Sequence, residues 1–161
     1  MLQLFYLREI AASGITDAEG ANMYRIQTET HFDAAHFLAG YQGKCRNLHG
    51  HRWRVVVQIS REGLRQDPQD TGMVEDFSTV KDALKEISAY FDHSLIYEKN
   101  SMKDTTVAAL ESEGFLLREV EFRPTAENFA KDIFDRLTAL QFPVSAVEVY
   151  ETPNNCAIYE A

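Results

Sequence analysis

The chain has 161 residues, enough for one domain with a real core and too few for two. Its composition, 45% hydrophobic and 25% charged, is that of a soluble globular protein. A formal charge of −9 argues against a general nucleic-acid binder, although a local arginine cluster could still hold an anionic small molecule, and no apolar run is long enough to span a membrane.

Residues 1–22 lack a basic stretch followed by a long apolar core and carry acids early. They read as an extension before a single domain over 23–161, not as a signal peptide. The first strand is expected from near Met23, in MYRIQTETHF, where Tyr24, Ile26 and Phe32 share a parity. A second is expected over His49–Arg61, with Trp53, Val55, Val57 and Ile59 on one face. The charged, turn-rich REGLRQDPQDTG reads as a hairpin connection. Phe77, Val80, Leu84, Ile87 and Phe91 then recur at helical spacing, with Asp76 or Ser78 available as a cap.

A weaker helix is expected around Lys103–Glu113, ended by Gly114, and FLLREVEF alternates as a strand. Pro124-Thr125 opens a helix whose stripe is Phe129, Ile133, Phe134, Leu137 and Leu140. SAVEVYE and CAIYE are two short strands around the turn TPNN. The order implies an α+β fold with helices on one face of an antiparallel sheet.

Three histidines point to a metal. His49 and His51 are separated only by Gly50, so on a strand both side chains share the apolar face of Trp53 and Val55. An unpaired polar ring is costly there. His36 closes the set from the preceding segment, and three neutral imidazoles leave a fourth zinc position open, as in catalytic sites. His31, five residues before His36, faces the other way on a regular strand.

Cys45 lies four residues before His49. It is either a fourth ligand that closes the site or a nucleophile or base favoured by the nearby cation, Lys44 and Arg46. Cys156 reads better as a small buried hydrophobe. Two cysteines so far apart make no disulfide framework, which points to reduced thiols in a cytoplasmic compartment.

Asp92-His93 ends the first long helix, either as a simple terminus or as an acid/base pair in which the carboxylate raises the basicity of the imidazole. Glu151 has the parity of Val147 and Val149 and reads either as a strand-end surface acid or as a bidentate acceptor for an amidine-like ligand edge. Glu127 suits the first turn of its helix. Lys44, Arg46, Arg52 and Arg54 are candidate phosphate contacts and equally plain solvated charges.

FDAAH, C-x3-H-G-H, MVEDFSTVK, FDH, PTAEN and YETP, in that order, resemble the 6-pyruvoyltetrahydropterin synthase family, which includes the bacterial 6-carboxytetrahydropterin synthases of queuosine biosynthesis. The resemblance runs from about Tyr24 to the C-terminus; only the first twenty or so residues and about Glu98–Glu113 look like additions. It implies zinc on His36, His49 and His51, Cys45 as catalytic thiol with Asp92 and His93, and Glu151 with Glu127 as substrate-binding acids. It also implies the tunnelling fold, a four-stranded antiparallel sheet with two main helices that assembles into a barrel in trimers or hexamers, with active sites between subunits. The implied substrate is 7,8-dihydroneopterin triphosphate. Carboxy-forming activity is the favoured branch and pyruvoyl-forming activity its alternative. A zinc hydratase or hydrolase, or a non-catalytic pterin-binding module, is a reading of another class.

Overall fold

The computed structural model describes residues 23–161; the extension expected over residues 1–22 lies outside them. Two long strands, β1 (Tyr24–His36) and β2 (His49–Arg61), form an antiparallel hairpin in unbroken register from Tyr24 opposite Arg61 to His36 opposite His49. The loop between them, residues 37–48, holds one short 3-10 turn at Lys44–Arg46. The connection is therefore here and not in residues 61–72, which lead from β2 into the first helix. That later segment is held by its own charges: Arg65 bonds Asp67 and Glu75, and Arg61 bonds Glu75.

Helix α1 (Phe77–Phe91) starts where Asp76 accepts a bond from the Ser78 amide at 2.7 Å, and it buries Val80, Leu84, Ile87 and Phe91. Phe77, at the head of the expected stripe, stays exposed. Helix α3 (Ala126–Ala139) is capped by Thr125 and buries Phe129, Ile133, Phe134 and Leu137. Leu140 caps its C-terminus and leaves the core. β5 (Val144–Thr152) and β6 (Asn155–Glu160) form the expected terminal hairpin, with β5 antiparallel to β2.

The sheet has six strands where four were expected, and it is mixed where an antiparallel one was expected. With β3 at Ser94–Glu98 and β4 at Leu117–Val120, the order is β4-β3-β1-β2-β5-β6. β3 (Ser94–Glu98) went unread because SLIYE is only five residues, directly after a helix, with no alternation to mark it. It runs parallel to β1, and β4 (Leu117–Val120) runs parallel to β3. Parallel neighbours need a long crossover, and residues 99–116, with α2 (Asp104–Ser112), supply it. α2 buries none of its own side chains. Gly114, at φ +82°, ends the turn after it as the sequence required.

α1 packs on β1, and α3 on β5 and β6, all on one sheet face. Phe32, Trp53, Phe91 and Phe129 meet there, with Trp53 and Phe129 centroids 4.9 Å apart. This aromatic core ends directly beneath the three histidines. Trp53, fully buried, lies 4.9 Å from the His36 ring and 5.4 Å from His51.

Candidate functional site

Hairpin register builds the cluster. His36 and His49 face each other across β1 and β2, and His51 follows on the same face, so the three ring centroids lie 4.4–5.3 Å apart. Gly50, between the two β2 histidines, matters sterically, because a Cβ there would stand 3.3 Å from the Ala34 carbonyl oxygen. His36 Nδ1 lies 2.7 Å from the Pro124 carbonyl, and His49 Nδ1 lies 2.7 Å from that of Asn47. A carbonyl only accepts, so both Nδ1 atoms carry the proton and both Nε2 lone pairs are free. All three Nε2 atoms are buried without a hydrogen-bond partner among the described residues.

Glu151 reaches this cluster from β5. Its Oε1 lies 3.5 Å from Nε2 of both His36 and His51, and the four donor atoms all fall within 4.8 Å of one another. A tetrahedral ion with bonds of about 2.1 Å sets its ligands about 3.4 Å apart, so the group has the dimensions to hold a metal. Burial lowers the His36 pKa to about 4; the Pro124 carbonyl opposes that shift, and His49 and His51 reinforce it. His51 is lowered too, by burial first, with Glu151 pulling the other way. Neutral imidazoles with free lone pairs are the form that binds metal.

Cys45 sits half-buried in the 3-10 turn of the hairpin loop, whose base is closed by the Leu38 amide donating to the Cys45 carbonyl at 2.8 Å. A cavity of about 260 Å³ is lined by Cys45, Leu38, Tyr41, Thr125, Glu127 and Glu151. Cys156, expected as a buried hydrophobe, is exposed on β6, because its residue falls on an edge strand.

Asp92 and His93 lie where the backbone turns out of α1. Asp92 Oδ1 accepts from the Asp33 amide at 2.9 Å, and the His93 amide donates to the Asp33 carbonyl at 2.6 Å. His93 Nδ1 lies 2.8 Å from Asp92 Oδ2. His93 has φ +52°, an unfavourable conformation for a side chain of this size, held here by those three bonds. The Asp33 amide, then His93, hold the Asp92 carboxyl below its ordinary range, and the Asp92 hydrogen bond raises the His93 imidazole.

His93 opens on a different cavity from Cys45. That cavity, about 670 Å³, is lined by His93, His51, Asp33 and an apolar wall that includes Leu95, Leu110 and Phe115. The histidine–glutamate cluster is thus reached from two sides of one chain, through Glu151 with the thiol and through His51 with His93. The cavities do not bring Cys45 and His93 together.

Arg52 and Arg54 extend from the opposite sheet face. Arg52 bonds His31 and lies 3.8 Å from Asp33, while Arg54 bonds Glu29 at 3.0 Å and covers the Tyr150 ring. Lys44 and Arg46 are exposed on the hairpin loop. No residue pattern points to the two backbone carbonyls that orient His36 and His49, since any residue type supplies a carbonyl.

A family profile described as 6-pyruvoyl tetrahydropterin synthase matches residues 25–161. Among curated proteins, the chain is 37% identical over 144 residues to the 6-carboxy-5,6,7,8-tetrahydropterin synthase of Haemophilus influenzae, covering 86% of this chain and 99% of that one. It is 38% identical to the synthase of the same name from Rickettsia felis, covering 82% and 96%. Among solved structures, an uncharacterized protein of Wolinella succinogenes superimposes with a TM-score of 0.67 at 23% identity, covering 86% and 98%. The 6-pyruvoyl tetrahydropterin synthase of Caenorhabditis elegans does so with a TM-score of 0.61 at 24% identity, covering 87% and 96%. These two superpositions establish a shared tunnelling fold.

Proposed function

Because the chain belongs to the 6-pyruvoyl tetrahydropterin synthase family, we propose that it is a zinc-dependent 6-carboxy-5,6,7,8-tetrahydropterin synthase. The substrate is 7,8-dihydroneopterin triphosphate, which with water gives the carboxypterin, acetaldehyde and triphosphate. The observation that carries this reading is the cavity in which Cys45, Glu127 and Glu151 face one space, with Glu151 also in the metal group. The relatives of 36–38% identity that bear this name support the carboxy-forming branch.

His36, His49 and His51 hold the zinc, which their nitrogen donors suit, and when bound it supplies Lewis-acid polarisation of the substrate's side-chain hydroxyls. Glu151 and Glu127 offer carboxylates to the pterin's N–H edge. Cys45 as thiolate takes a proton from the side chain, and His93, kept basic by Asp92, returns one. Because Cys45 and His93 open on different cavities, the thiol of one copy works with the Asp92–His93 pair of a neighbouring copy. The assembly is a homo-oligomer with sites between subunits. The product belongs to queuosine biosynthesis, and the free thiols suit the cytoplasm.

Incubating the protein with dihydroneopterin triphosphate and assaying both triphosphate and acetaldehyde tests the reading. Release of both supports it. Triphosphate without acetaldehyde assigns the pyruvoyl-forming activity instead. Cys45→Ala should abolish turnover with zinc still bound. A zinc hydrolase using its bound water alone would keep most activity in that variant.

A further inference from the structure

The link between β4 and α3 touches both halves of the candidate site through two adjacent residues. The carbonyl of Pro124 holds His36 Nδ1 at 2.7 Å and so sets the ring that presents Nε2 to the metal group. The preceding residue, Arg123, extends to the other side. Its Nη2 donates to the Ala39 carbonyl at 2.8 Å, and its guanidinium carbon lies 5.9 Å from the Tyr41 ring centroid. Ala39 and Tyr41 belong to the hairpin loop that carries Cys45, and the Leu38–Cys45 backbone bond ties that part of the loop to the thiol's own residue.

We propose that Arg123 is a positioning residue that holds the Cys45 loop at a set distance from the histidine cluster. The proposal rests on the role given to Cys45 above. A residue before proline is biased to extended backbone, which narrows the directions open to the Arg123 side chain. The link is itself anchored, because the Asn128 side-chain Nδ2 of α3 donates to the Arg123 carbonyl at 2.9 Å. One short rigid segment therefore orients a metal ligand and docks the thiol loop. Without it the loop's remaining hydrogen bonds among the described residues run within residues 38–47 and, at its far end, between His49 and the Asn47 carbonyl.

The energetics separate this role from a purely structural one. Arg123 Nε is buried and has no partner among the described residues. An unsatisfied buried donor on a cation carries a desolvation cost that offsets much of the gain from the single bond to Ala39. Arg123 is thus a poor stabiliser of the fold and a good strut, since the bond it makes is charge-assisted and directional.

The test uses full-length, zinc-loaded Arg123→Met and Arg123→Lys. Iodoacetamide alkylation is followed by peptide mass spectrometry, with exposed Cys156 as the internal reference. In Arg123→Met, alkylation at Cys45 should speed several-fold while Cys156 is unchanged, with zinc content retained and the melting temperature little moved. Turnover should fall by up to about a hundredfold in kcat with KM nearly constant, the scale of a misplaced reacting group. Arg123→Lys, which keeps a donor for the Ala39 carbonyl, should recover part of both effects. An unchanged Cys45 alkylation rate overturns the proposal, as does a large fall in melting temperature with both thiols exposed together. Faster Cys45 alkylation in a protein whose wild type does not act on the pterin substrate supports the strut and overturns the functional reading instead.

Discussion

At His36 the burial that would strand a charged imidazole also keeps the ring neutral. Its pKa is lowered to about 4, against an ordinary value of 6.5, so between those limits the unfolded chain binds a proton that the folded one refuses. The metal-free protein should therefore be most stable above pH 6.5 and lose stability as pH falls toward 4. Urea denaturation of chelator-treated protein at stepped pH checks this. No greater loss in wild type than in His36→Gln across that window would refute it. His93 shifts the opposite way, because the Asp92 carboxylate bonds its Nδ1. The small contribution of the His93 shift is complete just below pH 6.5 and is lost as pH rises through the elevated value, while that of the lowered Asp92 is lost on acidification below pH 3.8. In Asp92→Asn the His93 ring should titrate lower than in wild type, as read by NMR of the ring protons; an unmoved titration would remove Asp92 from the acid/base role.

Elements place these residues through local features that the sequence carries openly. Asp76 caps α1 by accepting from the Ser78 amide, and that helix ends at the turn holding Asp92 and His93. Asp76→Ala should cost about 1 kcal/mol, the usual worth of such a cap, measured by urea denaturation at neutral pH. A change well under half of that would mean that tertiary packing alone holds the first turn. Periodicity served equally well for both long helices, except at Phe77 and Leu140, where a stripe of correct spacing runs past the surface that covers it. β3 was illegible for the opposite reason. Its five residues make sense only beside β1, and parallel pairing is a property of the neighbour.

Over the whole molecule, Cys45 and His93 of one chain line separate cavities. Among the described residues the sheet's outer strands, β4 and β6, have no partner on their outer edges, and Leu48 and Phe115 are exposed around the larger cavity. Unpaired edges and exposed apolar groups are what a further copy would cover. If the site is shared, Cys45→Ala and His93→Ala should each be inactive alone, yet regain part of the wild-type rate when co-assembled from mixed, reversibly dissociated protein. The rate after mixing checks this, and no recovery in verified mixed oligomers would place both groups in one chain's site.

The histidine trio, the thiol beside it and the two main helices were legible in the residues themselves, because strand parity, helical period and capping act over a few positions. His49 and His51 could be placed on one inward face by a spacing of two alone. What surrounds them could not. Pro124 is 88 residues from His36, and the Asp33 amide is 59 from Asp92. Glu151 stands against the imidazoles only because β5 pairs with β2, and Arg52 comes to line the larger cavity beside His51 and His93 only because β1 and β3 pair next to it. Such distances depend on strand order and on the crossover through α2, which no local pattern encodes. Sequence by itself determined which histidines could hold a metal; tertiary structure decided which carboxylate stands beside that group and which carbonyls orient it, and that Cys45 and His93 approach it from different sides.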